Sequence, residues 1–263
     1  MVTQPPARRS LWEPSPCRLP LQLAILLAAC NVTPLTNKID VGNDPFVIGV
    51  GEGADSLTDL WAAPAGAGSF ARLTFNRAEE RAPRLAPEGR RVAYLRRTRG
   101  DPRWFLVFLD LASNAERALA LPGDAGEPER PGWSADGARV VLRIGGAYYA
   151  TATPPAPGNL VRLGPEEHAA ADSLTRERLG PAHEGLVESC EATLCVRVAG
   201  LVTSLGPAVR GAVRWGPDSV GYFRGDGFAV RPLGGGRARL LDWKAAPAGL
   251  RELTHHPGVR SPP

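Results

Sequence analysis

One phrase occurs twice in this chain at a fixed distance. Arg130-Pro-Gly-Trp-Ser-Ala-Asp-Gly-Ala-Arg-Val-Val-Leu142 aligns with Ala82-Pro-Arg-Leu-Ala-Pro-Glu-Gly-Arg-Arg-Val-Ala-Tyr94, and Pro83 and Pro131 stand 48 residues apart. A worn copy is Val213-Arg-Trp-Gly-Pro-Asp-Ser-Val-Gly-Tyr222. Marker leucines at 73, 121, 163, 205 and 253 give steps of 48, 42, 42 and 48. Trp133 and Trp215 are 82 apart, close to two periods, so one degenerate copy is expected between them. A unit of this length cannot bury its apolar faces alone and must stack on copies of itself.

Within each period the texture is β. The runs at 92–95, 104–109, 139–143, 147–150, 220–223 and 228–230 are short and rich in β-branched and aromatic residues. Turn pairs separate them: Glu88-Gly89, Asp136-Gly137, Gly145-Gly146 and Asp226-Gly227. Such pairs suit the two-residue hairpin turn, in which both central residues take positive φ. With 30 Gly and 26 Pro the chain is punctuated too often for long helices. The reading is all-β: a β-propeller of four-stranded blades. Four repeats lie between Leu73 and Leu253, and the pieces outside, 44–72 and 254–263, make about one more. The first and last segments are therefore expected to share a blade, giving five blades, with six left open.

The phrases resemble the WD40-like repeats of the TolB propeller family. There the unit reads Leu-Thr, a loop, Pro, then Trp-Ser-Pro-Asp-Gly and an apolar strand. Pro131 to Leu142 is the fullest match, with Ala135 in place of the family's Pro. The resemblance spans 44–258, strong at 70–150 and weak at 165–205. It implies six blades by family habit and a role in cell-envelope assemblies. The Trp-Ser-Ala-Asp-Gly residues read as structural, with Trp133 packing between blades and Asp136-Gly137 turning the chain.

The N-terminus carries an address. Residues 19–29 form an apolar run interrupted by one Gln and one Pro, too short for a spanning helix. It follows Arg8, Arg9 and Arg18 and ends in small residues, the layout of a secretory signal. Leu27-Ala-Ala-Cys30 resembles the bacterial lipobox, where a diacylglycerol is placed on the Cys and the chain is cut before it. Two or three acyl chains give a stable anchor where one does not. The expected organisation is signal peptide 1–29, lipidated tether 30–43 and propeller 44–263. Asn31 after the Cys leans toward the outer membrane by family resemblance. Arg8-Arg9-Ser10-Leu11 faintly resembles a twin-arginine signal, an alternative export route.

Chemistry is sparse. After processing, Cys190 and Cys195 remain, and an even pair in an exported chain suggests a disulfide. His255 and His256 are adjacent, so on a strand they face opposite ways and chelate poorly; His168 and His183 lack partners at motif spacing. No Gly-x-Ser-x-Gly, His-Glu-x-x-His or P-loop occurs. Gly234-Gly-Gly236 reads as a blade loop. The formal charge of +4 rests almost wholly on Arg, with no basic run interleaved by aromatics, so nucleic acid is not expected as a partner. No catalytic residue, cofactor or metal is assigned. The leading expectation is a non-enzymatic scaffold that binds envelope proteins from a lipid anchor. The alternative is a carbohydrate- or peptide-binding or hydrolytic site at the channel mouth.

Overall fold

A computed structural model describes residues 39–259, apart from 54–55, 124–125, 154–159, 176–186, 191–192, 199–200, 207–208, 217 and 226. Four sheets have four antiparallel strands and one has three. The second sheet is a plain meander: Ala78–Leu85, Arg91–Thr98, Phe105–Asp110, Glu116–Ala120. The third runs Gly132–Trp133, Arg139–Ile144, Ala147–Ala152, Val161–Arg162. The fourth is Val187–Cys190, Thr193–Val198, Leu201–Ser204, and the fifth Val209–Arg214, Ser219–Arg224, Gly227–Pro232, Arg239–Leu240.

The first sheet joins both ends of the chain. Phe46–Glu52, Thr58–Pro64 and Ala71–Arg72 come from the start, while the inner strand, Arg251–His256, comes from the end. It pairs antiparallel, with Phe46 opposite His256 and Ile48 opposite Thr254. This is the shared sheet that the residue count called for. Trp243–Lys244 adds a short parallel pair with Gly68–Ser69.

The first, second, third and fifth sheets are packed on both faces, so their central strands carry buried apolar residues on either side. Period two decides which neighbour each side chain meets. Val92, Tyr94, Val107 and Leu109 join Phe46, Ile48, Val50 and Leu60 of the first sheet. Ala93, Leu95, Leu106 and Phe108 join Trp133, Val140 and Leu142 of the third. Val47 faces the other way, toward Val213, Phe223 and Phe228 of the fifth.

Three of the five marker leucines, and Leu241 with them, make the same hydrogen bond. Leu73 N–H donates to Leu60 O (2.8 Å), Leu121 to Trp104 O, Leu163 to Tyr148 O and Leu241 to Phe228 O (each 2.9 Å). Leu241 thus stands where Leu253 was expected. Leu253 lies inside the inner strand Arg251–His256, fully buried.

The turns also differ in part from expectation. Gly89 N–H donates to Ala86 O and Gly137 N–H to Ser134 O, and only the Gly of each pair has positive φ, 68° in both. Four residues separate the paired Ala86 and Arg91, so a longer turn forms with a single left-handed position. Gly145-Gly146 is the two-residue turn expected, at φ 54° and 88°. Gly227 belongs to its strand, opposite Arg224, and Gly225 takes the positive φ before it.

The weakest stretch of the repeat holds the one helix among the described residues, His168–Thr175, after a 3-10 turn at Pro165–Glu167. Pro165, Glu166 and Glu167 open this helical stretch, and the run Ala169-Ala170-Ala171 favours continuing it. Ala171 is buried and Tyr148 Oη donates to Asp172 Oδ1 at 2.7 Å. The helix presses on the third sheet so closely that a Cβ on Gly132 would lie 2.1 Å from Leu174 O. Gly132→Ala is therefore expected to cost about 3 kcal/mol in urea unfolding. Gly146→Ala, at a positive φ with open space around it, is expected to cost only about 1 kcal/mol. Equal costs would mean the helix does not seat there.

Candidate functional site

Inner strands have an unpaired edge whose polar groups need partners. Three of them carry a bulge with a left-handed residue: Ala82 (φ 54°), Gly211 (58°) and Glu252 (52°). Side chains from the next sheet then serve the freed groups. Ala82 N–H donates to Glu252 Oε2, and Leu85 N–H to Thr254 Oγ1 at 3.2 Å. Trp133 Nε1–H donates to Arg84 O at 2.9 Å, while its ring meets Phe108 edge-on at 5.9 Å. Ser134 Oγ donates to Asp136 Oδ1 (2.6 Å), which also accepts Ala138 N–H (3.0 Å). The Ser134 hydroxyl and that amide hold the Asp136 carboxyl below its ordinary range. The repeated phrase is spent on holding sheets together.

A second polar cluster lies between the first and second sheets. Glu80, wholly buried, exchanges main-chain bonds with Thr58 Oγ1 (2.7 and 2.8 Å). Its carboxyl accepts from Thr74 Oγ1 and, at 3.3 Å, from Asn76 Nδ2. Asp59 is buried nearby and paired with Arg72 at 2.6 Å. Burial pushes Glu80 up to about 7, against the bonds from Thr74 and Asn76 and with help from the Asp59 and Glu116 charges. Burial raises Asp59 as well, against the Arg72 charge. Every carboxylate here has an internal partner.

The seam between the fifth and first sheets is different. Register places His255, opposite Val47, where Trp133 stands opposite Val140. Trp215 is one position out of phase with Trp133. Its N–H donates to Ser219 O as Ser134 N–H donates to Arg139 O, so its indole leaves by the other face of the sheet. His255 and Trp215 thereby meet and stack, centroids 4.1 Å apart and 14° from parallel. Phe228 and Trp243 extend the stack, and Trp243 Nε1–H donates to Pro64 O at 3.1 Å. Burial, with the His256 and Arg214 charges, drives His255 down to about 3, so its ring is neutral. Above the stack opens a cleft of about 360 Å³, lined also by Gly66, Asp218, Ser219 and Arg239. A second cleft of about 370 Å³ lies between Phe228, Trp243 and Pro247.

As a sequence the chain matches no protein-family profile and no curated protein. As a structure it is similar to TolB from Acinetobacter baumannii, with a TM-score of 0.51 and 13% identity over 84% of this chain and 69% of that one. It is also similar to the β-propeller domain of the Trilobed protease from Pyrococcus furiosus, with a TM-score of 0.33 and 11% identity over 75% of this chain and 66% of that one. The fold is that of a TolB-like β-propeller. At this identity the likeness is one of fold, and the chemistry is argued from the chain's own residues.

In the propeller the expected site residues are dispersed. Cys30 and His183 lie outside the described residues. Cys195 is buried in Thr193–Val198 and disulfide-bonded; Cys190 ends the neighbouring strand, and its side chain lies outside the described set. His256 turns away from His255, placing Nε2 3.2 Å from Gly42 O. His168 opens the helix against Tyr148. Gly234, Gly235 and Gly236 fall between two strands of the fifth blade, and among the described residues no three His, Cys, Asp or Glu gather as for a metal. Sequence reasoning missed Glu80, Asp59 and the His255–Trp215 stack. The phase slip was legible only as the missing Pro before Trp215.

Two buried groups pull stability in opposite directions with pH. Glu80 holds its proton more tightly folded than unfolded, so its contribution is complete below about 4.5 and is lost as pH rises toward 7. His255 holds its proton more weakly, so its contribution is complete above 6.5 and is lost as pH falls toward 3. Between them the slopes oppose, each at most about 1.4 kcal/mol per pH unit. Relative to the native chain, Glu80→Gln should make stability rise with pH between roughly 4.5 and 6.5, and His255→Phe should make it fall. Urea titrations at stepped pH check this; parallel profiles for both variants would refute it.

Proposed function

We propose that this chain is a non-enzymatic cell-envelope lipoprotein, anchored through Cys30, whose propeller binds envelope proteins. One surface feature carries the protein-binding reading. Val161 (60% exposed), Val202 (52%) and Leu240 (66%) stand on the outermost strands of the third, fourth and fifth sheets, which follow one another in the chain. Outer edges are usually blunted by charge or Pro, because an open apolar edge invites another chain. Here each carries an exposed apolar side chain, beside an exposed Arg on two of them, Arg162 and Arg239. The polar groups of the inner strands, in contrast, are taken up in contacts between blades.

The address supports the envelope half of the reading. The run at 19–29 followed by Cys30 has the order that export and lipidation require, and a diacylated Cys holds a folded module at the membrane surface. The periplasmic face of an outer membrane is the favoured site. No nucleic acid or cofactor enters.

Envelope fractionation and affinity purification test the two halves separately. The native chain should sediment with membranes and bring down a defined protein, and Cys30→Ala should leave the membrane fraction. A Val161→Glu, Val202→Glu, Leu240→Glu variant should stay with membranes but lose the protein. Identical fractionation of Cys30→Ala would remove the anchor from the proposal, and unchanged capture by the triple variant would remove the edge.

A further inference from the structure

The cleft at the seam has a chemistry that the protein-binding reading does not use. Its wall is the His255–Trp215 stack. The His255 ring lines the cleft and makes no hydrogen bond to any described residue. Ser219 Oγ also makes no hydrogen bond with a described residue, and the Asp218 carboxylate and Arg239 guanidinium form no ion pair with one another or with any other described group. The buried carboxylates between the first and second sheets, in contrast, are partnered: Asp59 by Arg72 and Glu80 by Thr74.

The set is balanced. Asp218 only accepts and Arg239 only donates, while a neutral imidazole and a hydroxyl each do both. Formal charge over the cleft sums to zero. A free anion would meet Asp218 and a free cation Arg239. Hydroxyl groups satisfy all four at once, because each donates and accepts. The volume of about 360 Å³ lies near the lower end for small-molecule sites and accommodates one or two sugar rings. We propose that the seam cleft of this propeller binds a small uncharged polyhydroxylated ligand, a sugar unit, held by Asp218, Ser219, Arg239 and the His255 ring.

The test is titration of the purified full chain with glucose, galactose, N-acetylglucosamine and cellobiose, following heat and Trp fluorescence, with glycylglycine and acetate as charged probes. The result expected is saturable binding of at least one sugar, little changed between about 50 and 500 mM salt because no net charge is exchanged. Asp218→Asn with Arg239→Gln sits on the exposed rim and should leave the melting temperature in place while weakening that binding about tenfold or more. His255→Phe keeps the stack but removes both nitrogens, and should weaken it as well. Absence of sugar binding overturns the proposal. So does tighter, salt-sensitive binding of glycylglycine or acetate, which would make the cleft a charge site. Sugar binding untouched by the rim variant places the ligand elsewhere and overturns it equally.

Discussion

The pairing of Arg251–His256 with Phe46–Glu52 is the contact on which the fold depends. The first sheet is apolar on both faces and is stabilised between two neighbours. Phe46, Ile48 and Val50 face the second sheet, and Val47 faces the fifth, so the first sheet needs both. The last strand supplies Leu253 to that second interface and its backbone to the open edge of Phe46–Glu52. Without it the first sheet would lose its inner strand and the edge of the next sheet would lose Glu252 and Thr254 as acceptors. Non-local pairing of this kind closes the ring at the cost of a large loop entropy, which the buried interfaces on both sides offset.

The same logic explains where polar residues went. Inner strands lie at an edge, and each bulge frees amides that a ladder would have paired. Glu252 and Thr254 accept from main-chain N–H groups of the adjacent sheet and Trp133 donates to a main-chain carbonyl there, so one side chain both fills a gap and ties two blades together. Glu80 performs this task at greater depth, while Asp59 pairs with Arg72 of its own sheet, and the raised proton affinities of both carboxyls are the consequence of burial. The seam between the fifth and first blades is where the pattern breaks. There the repeated Trp is out of phase, a His takes its place, and ionisable groups are left facing a cleft.

Much of this was readable before any coordinates. The spacing of the phrase around Pro83 and Pro131 gave the sheets and their order, and the count of repeats gave the union of the two chain ends. The adjacent His255 and His256 do face apart, as strand geometry requires. Three readings failed for physical reasons. Leu253-Thr254 looked like a repeat marker but is an inner strand, because a Leu-Thr pair is equally suited to either place. Val213-Arg-Trp215 looked like the phrase, but counting alone does not register a strand against its partner, and one residue reverses the face. The helix His168–Thr175 was hidden by the assumption that a worn repeat remains β.

By itself the sequence determined the period, the strand texture and therefore the class of fold, because those depend on local propensity and on apolar spacing along the chain. The proposed address at Cys30 also rests on the sequence alone, because such signals are recognised as linear segments. Tertiary structure alone decided which residues became a site. Glu80 and Asp59 lie 21 residues apart and meet only because two sheets face each other, and His255 reaches Trp215 only after the ring closes. Proton affinity, stacking and unmet hydrogen bonds are set by what surrounds a side chain, and in a closed ring those surroundings come from distant parts of the chain.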